Sequence, residues 1–170
     1  MDEYFHYNQF LSYHRNQFAH WDPKITTPPG LYIMQRIFSV ILPADLSMIR
    51  AINSLFFSNI FVVYILKIYD FLEPSPANLT RSLNLALTPT IYFFNFLDYT
   101  DSASVSVIVA MFYYNLTNSE WRLGLVSLIS IFIRQNNIIW ILYLIIYRVL
   151  TDNKKLILAP KSLVSHLFSI

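Results

Sequence analysis

An acidic pair, Asp2-Glu3, stands at the head of the chain, directly before a run rich in Tyr, Phe, Asn and Gln that reaches Leu11. A carboxylate at a membrane–water boundary can serve as a general base. The plainer role for such a pair is an N-cap and first-turn charge, favoured by the helix dipole. Further on, Asp22 precedes Pro23 and Lys24, a pattern that suits an Asx turn as well as a polar contact. Asp98 and Asp101 flank apolar segments, where a carboxylate is costly and usually faces a cavity or an interface. Arg134 lies in mid-apolar sequence with Gln135, Asn136 and Asn137 beside it. An arginine there needs a partner anion, for which a lipid-borne phosphate is one candidate.

The composition removes other chemistries. There is no Cys, which excludes disulfides, thiolate metal sites and Cys nucleophiles. Two glycines cannot supply a phosphate-binding loop. His6, His14, His20 and His166 lack metal-ligand spacing, and read as surface or interface histidines. No metal is expected, no cofactor, and no nucleic acid, since no basic stripe is present. Asn78-Leu79-Thr80 and Asn115-Leu116-Thr117 are sequons that matter only if their loops are luminal.

The elements that must position these groups belong to a membrane protein. Hydrophobic residues make up 55% of the 170 and charged residues 13%, about half the charged share of a soluble domain. The bilayer must therefore act as part of the solvent. Met1-Asp2-Glu3 is not a signal peptide. Over residues 1–30, Tyr4, Tyr7, Leu11 and Phe18 share a helical face with Phe10 beside it, and Asn8, Gln9, Arg15 and Gln17 fall elsewhere. This predicts an amphipathic surface helix, closed by Asp22-Pro23 and Pro28-Pro29-Gly30. Residues 31–43 are short for a span, and 49–69 suffice for one. Residues 81–97 predict a second span, bent or broken at Pro89, and 102–116 another apolar segment. Residues 121–150 form one long tilted helix or two short ones meeting at the polar 134–137 turn. The expected class is all-α: a polytopic membrane bundle of five to six elements over 31–150. A loop over 1–30 carries the surface helix, and 151–170 holds a loop and the start of a further membrane segment.

Three blocks together resemble a known family: MDEYFHYNQ at 1–9, WDPKITTPPGLY at 21–32, and the pair YFFNFLDYTDSAS at 92–104 with FIRQNNIIW at 132–140. They resemble the dolichyl-phosphate-glucose-dependent alpha-1,2-glucosyltransferases, which add the terminal glucose to the lipid-linked oligosaccharide for N-glycosylation. The resemblance implies a multi-pass enzyme of the GT-C type in the endoplasmic reticulum membrane, with its active site facing the lumen. It implies dolichyl-phosphate glucose as donor and a diglucosylated high-mannose oligosaccharide on dolichyl diphosphate as acceptor. A beta-linked donor and an alpha-linked product make the reaction inverting, with a carboxylate taking the acceptor's proton. Asp2 is then the first candidate base and Glu3 the second. Trp21, Asp22 and Lys24 shape the sugar pocket, and Asp101 and Arg134 are candidates for substrate contact. The family has a membrane helix just before the acidic pair and continues well past residue 170, and Met1 falls on a Met inside its motif. The chain is thus expected to be an N-terminal piece of such an enzyme. The alternative is a non-catalytic membrane fragment or scaffold derived from one. A transporter is weaker, because it does not account for the 21–32 block.

Overall fold

The computed structural model describes residues 2–151, with the backbone alone at Asp2. The expected final element at 151–170 lies outside the described residues beyond Thr151. All regular structure among the described residues is helical.

Helix α1 (Asp2–His14) ends on Asn16, whose φ of 60° is left-handed. The Gln17 N–H reaches back to the Ser12 carbonyl at 2.9 Å, so the last turn closes as a Schellman motif with Asn in the usual glycine place. Its inward face differs from the one the apolar pattern predicts. His6, Gln9, Phe10 and Tyr13 are buried, whereas Tyr4 is exposed and Phe18 lies beyond the helix end. These buried residues follow i, i+3, i+4, i+7 spacing, but two of them are polar and are held there by distant partners. The helix packs on α2 (Gly30–Phe38), and the surface reading of His6 is corrected with it.

Helix α3 runs from Leu46 to Leu72 and, at about 40 Å, is the one described helix long and apolar enough to cross a membrane. Asp45 caps it by accepting the Met48 N–H at 2.7 Å. A π-turn at Ile52–Phe57 widens the helix and turns Asn53 inward, fully buried. The Phe57 carbonyl accepts from the Ser106 hydroxyl at 2.8 Å.

The predicted second span at 81–97 is instead two short helices, α4 (Asn78–Ala86) and α5 (Pro89–Asn95). Pro89 has no N–H to donate to the preceding turn and takes the N1 place of the new helix, where none is needed. Helix α6 (Thr100–Leu116) packs between α3 and α7 (Glu120–Ile133). Its buried Ser102, Ala103, Ser106 and Ala110 let neighbouring backbones come close. Of the two readings of 121–150, the broken one holds. Arg134 is extended, a short 3-10 turn follows at Gln135–Asn137, and a helix resumes over 138–151. Asn137 secures the break by accepting from Ser104 Oγ at 2.7 Å and donating to the Ser130 carbonyl at 3.1 Å. Residues 138–151 belong to a separate unit, whose helix carries Trp140, Tyr143 and Tyr147 in ring contact along its length.

Polar and apolar side chains are both well represented in the interior, while Ile37, Leu55, Phe93, Trp121 and Leu128 lie on the outside. Apolar surface of this kind can be solvated by hydrocarbon, a medium in which unpaired polar groups cost most.

Gly30 marks the tightest approach. A Cβ there would lie 2.3 Å from the Phe132 carbonyl oxygen, so α2 meets the end of α7 backbone to backbone. Gly124, by contrast, has nothing within 4 Å of its Cβ position. Gly30→Ala is expected to destabilise the protein by about 1–3 kcal/mol through overpacking. Gly124→Ala is expected to be neutral or stabilising by about 0.5–1 kcal/mol. Thermal unfolding of both variants in detergent checks the contrast.

Candidate active site

Three segments far apart in sequence meet at the first turn of α1. Glu3 accepts from Arg50 Nε at 2.9 Å and from Arg50 Nη2 at 2.7 Å, a two-pronged ion pair from α1 to α3. The backbone N–H of Asp98, in the connection between α5 and α6, also donates to Glu3 Oε1 at 2.9 Å. The Arg50 hydrogen bonds outweigh burial and hold the Glu3 carboxyl below its usual range.

Asp98 itself is fully buried. Gln35 Nε2, from α2, donates to its Oδ1 at 2.7 Å. Asn53 Nδ2, from the π-turn, donates to the carbonyls on either side of it, Leu97 at 2.5 Å and Tyr99 at 3.3 Å. Burial pushes the Asp98 carboxyl up to about 7, against a smaller opposing pull from the Gln35 hydrogen bond. Neighbouring carboxyls are thus driven apart, one toward the anion and one toward the neutral acid, a pattern often found at functional sites.

The 21–32 block wraps the same helix. The Asx turn expected at Asp22 is present, with the Lys24 N–H donating to Asp22 Oδ1 at 2.9 Å. Gln9 grips this turn from α1, donating to the His20 carbonyl at 2.8 Å and accepting the Asp22 N–H at 2.9 Å. Trp21 donates its indole N–H to the Ile25 carbonyl at 3.1 Å and meets the Tyr32 ring edge-on. Lys24 Nζ sits 4.7 Å above the centre of the Phe5 ring. His6 Nδ1 lies 2.5 Å from the Tyr32 hydroxyl. Between α1 and this turn opens a pocket of about 350 Å³ lined by Phe5, His6, Lys24, Ile25, Thr26 and Thr27.

Asp101 and Arg134 form an ion pair with each other, from the first turn of α6 to the break after α7. Each is about a third exposed. The anion that Arg134 needs is therefore supplied by the protein in this state. Asp101 also lines an apolar pocket of about 130 Å³ with Phe61, Ile91, Phe94 and Val105. Among the described residues no group of three or more His, Asp or Glu is arranged to hold a metal.

Of the residues singled out from sequence, Glu3, Trp21, Asp22 and Lys24 gather around α1 and its wrapping turn. Asp101 and Arg134 form a separate pair, joined to the first group through Asp98 three residues before Asp101. Asp2 is the first residue of α1, next to Glu3. Gln9, Gln35, Arg50 and Asn53 were not singled out from sequence, and Asp98 was noted as a costly carboxylate without a role being given to it. For Asp98 a signal existed, a carboxylate beside apolar sequence. For Gln35 and Asn53 it was an amide inside an apolar run.

The opposite end of the bundle carries a second polar group. Asn78 is fully buried and donates to Asp70 Oδ1 at 2.8 Å and to the Glu73 carbonyl at 2.9 Å. Tyr64 and Tyr114 share a 2.6 Å hydroxyl contact, with Lys67 above the Tyr64 ring.

A helical protein with apolar side chains outside and a carboxylate-bearing polar end is the class these features define. The family model described as the DIE2/ALG10 family matches residues 1–165, and the chain belongs to that family. Similar proteins from Arabidopsis thaliana, Rattus norvegicus and Homo sapiens are all named Dol-P-Glc:Glc(2)Man(9)GlcNAc(2)-PP-Dol alpha-1,2-glucosyltransferase. The Arabidopsis protein is 32% identical, with 84% of this chain and 32% of its own length covered. The rat protein is 34% identical over 82% of this chain and 33% of its own, and the human one 33% over 84% and 34%. The chain spans about a third of the length of these curated relatives. No solved structure matches it.

The Glu3 carboxyl is lowered in the folded state, so its contribution to stability is present above the ordinary carboxylate range and is lost as pH falls through its folded value. Glu3→Gln is expected to lack that acid-side loss, and thermal unfolding followed from neutral pH downward tests this. An unchanged acid limb in Glu3→Gln would contradict the pairing.

Proposed function

We propose that this chain supplies the acidic, sugar-handling end of a glucosyltransferase of the endoplasmic reticulum membrane. That enzyme passes glucose from dolichyl-phosphate glucose to the diglucosylated high-mannose oligosaccharide on dolichyl diphosphate. Family membership, together with the names of the relatives, supports the reaction. The observation that carries the assignment of roles is the engagement of Glu3. Both of its oxygens are held by Arg50, and one also by the Asp98 N–H. A carboxylate so held, with its basicity lowered, is a poor proton acceptor. Glu3 therefore anchors the first turn, and Asp2 beside it is the base.

In this reading Asp2 takes the proton of the acceptor 2-hydroxyl as that oxygen attacks the anomeric carbon. The bond to the donor phosphate breaks on the opposite face, which inverts the centre. The leaving phosphate monoester departs as an anion and needs cationic support rather than a proton. Arg134 can supply it if a phosphate replaces Asp101, and Lys24 borders the pocket beside α1. Trp21 and Asp22 hold the wall of that pocket in shape.

The chain sits in the bilayer as a helical bundle with its Glu3–Asp98 end in the lumen. Asn78 and Asn115 then lie at the cytosolic end, near Asp70 and Tyr114. Both are buried. Neither sequon is expected to carry a glycan, and a glycosidase-sensitive mass lost in Asn78→Gln or Asn115→Gln would reverse the proposed orientation.

Transfer from dolichyl-phosphate glucose in microsomes expressing the chain, and in parallel a full-length relative, tests the roles. Asp2→Asn is expected to lower transfer by about 10²–10⁴-fold. Glu3→Gln is expected to lower it less and to lose stability with it. Full activity in Asp2→Asn would sink the assignment, and no transfer by the unaltered chain would favour the non-catalytic scaffold.

A further inference from the structure

Beneath the Glu3–Arg50 pair, three buried oxygens have no hydrogen-bond donor: Asp98 Oδ2, Gln35 Oε1 and Asn53 Oδ1. All three residues are sealed from solvent. Their amide nitrogens are already engaged, that of Gln35 on Asp98 Oδ1 and that of Asn53 on the Leu97 and Tyr99 carbonyls. Turning the Gln35 amide over solves nothing, since it would set one acceptor against another. Leaving a buried acceptor without a donor is costly, and the two on the Asp98–Gln35 pair call for a missing donor.

A carboxylic acid and a primary amide can pair through two hydrogen bonds, amide N–H to acid carbonyl and acid O–H to amide carbonyl. The first of these is present at 2.7 Å, and the atoms of the second are the two left unpartnered. We infer that Asp98 is a neutral carboxylic acid in the folded protein, with its Oδ2–H donated to the Gln35 carboxamide oxygen. The acid–amide pair makes Asp98 a positioning residue. It fixes the backbone N–H that receives Glu3, and so fixes the first turn of α1. The charged and titratable groups facing it agree. Glu3 from α1 is an anion that opposes a second one, and this outweighs the opposite pull of Arg50 from α3, which is itself bound to Glu3. Tyr32 from α2 is a neutral phenol, and the His6 ring lies tilted against Tyr99, next in sequence to Asp98. Burial raises the Asp98 carboxyl in the same direction. That this joint positions a catalytic base rests on the transferase reading, but its protonation does not.

The sign of the pH effect follows. A carboxyl raised in the folded state gives stability that is full below its ordinary value of 3.8 and falls away as pH rises to about 7, then stays level. The test is isotope-edited infrared spectroscopy on the full chain in lipid nanodiscs, with ¹³C-labelled aspartate, comparing wild type with Asp98→Asn. A protonated-carboxyl band is expected in the wild type well below pH 7, to fade above it, and to be absent from Asp98→Asn. Asn keeps both a donor and an acceptor, so Asp98→Asn is expected to lack the fall in unfolding temperature that the wild type shows as pH rises toward 7. Asp98→Ala is expected to be destabilised throughout. Should Asp98→Asn fail to fold, Gln35→Leu reads the same joint, and its carboxyl band should shift in frequency. A wild-type spectrum without the band, or one unchanged in Asp98→Asn or Gln35→Leu, overturns the inference. The band present in a chain that transfers no glucose leaves it standing and counts against the enzyme reading alone.

Discussion

The buried carboxyl of Asp98 is the constraint on which the rest of the polar end depends. Moving a carboxyl out of water is tolerable only where partners replace the water. Here the partners come from separate parts of the chain. Gln35 brings in α2, Asn53 brings in α3, and the Asp98 backbone N–H holds Glu3 and with it α1. The π-turn at Ile52–Phe57 belongs to the same arrangement, since it turns Asn53 toward the Leu97 and Tyr99 carbonyls. Helix geometry has been adjusted locally so that a connection between α5 and α6 can be pinned.

In the lipid-facing bundle we propose, the apolar surface does little to select one packing, because hydrocarbon tails solvate it as well as another helix does. Specificity must come from close contact of small residues and from polar pairs. Gly30 against Phe132 and the serines and alanines of α6 supply the first. Glu3 with Arg50, Asp101 with Arg134, and Asn137 with Ser104 and Ser130 supply the second. These pairs congregate at the end where α1 lies, and Asn78 with Asp70 and Tyr64 with Tyr114 do the same work at the other.

Local features were legible in the sequence. Pro89 stops a helix because of its ring and missing N–H, and Asp22 before Pro23 makes an Asx turn by a contact two residues long. The polar run at 134–137 breaks α7, and the family blocks identify the lineage. What escaped depended on partners far away. Gln9 is buried because it grips the 20–22 turn, a fact that no apolar periodicity contains. Glu3 and Arg50 are 47 residues apart, and Glu3 and Asp98 are 95. The resemblance ranked Asp2 before Glu3 as candidate base, and the Arg50 contact is what supports the proposed division into base and anchor. Asp98 stood out beside apolar sequence, but its partners Gln35 and Glu3 did not, since they are set by the fold rather than by neighbours in sequence.

Hydrogen–deuterium exchange of the chain in nanodiscs, wild type against Arg50→Ala, tests most directly whether the acidic end of α1 is held in place by this joint. The account predicts that amides in the first two turns of α1 lose protection in Arg50→Ala, while those of α6 and α7 keep theirs. Unchanged protection of α1 would contradict it, and would mean that the helix is placed by its contacts with α2 alone.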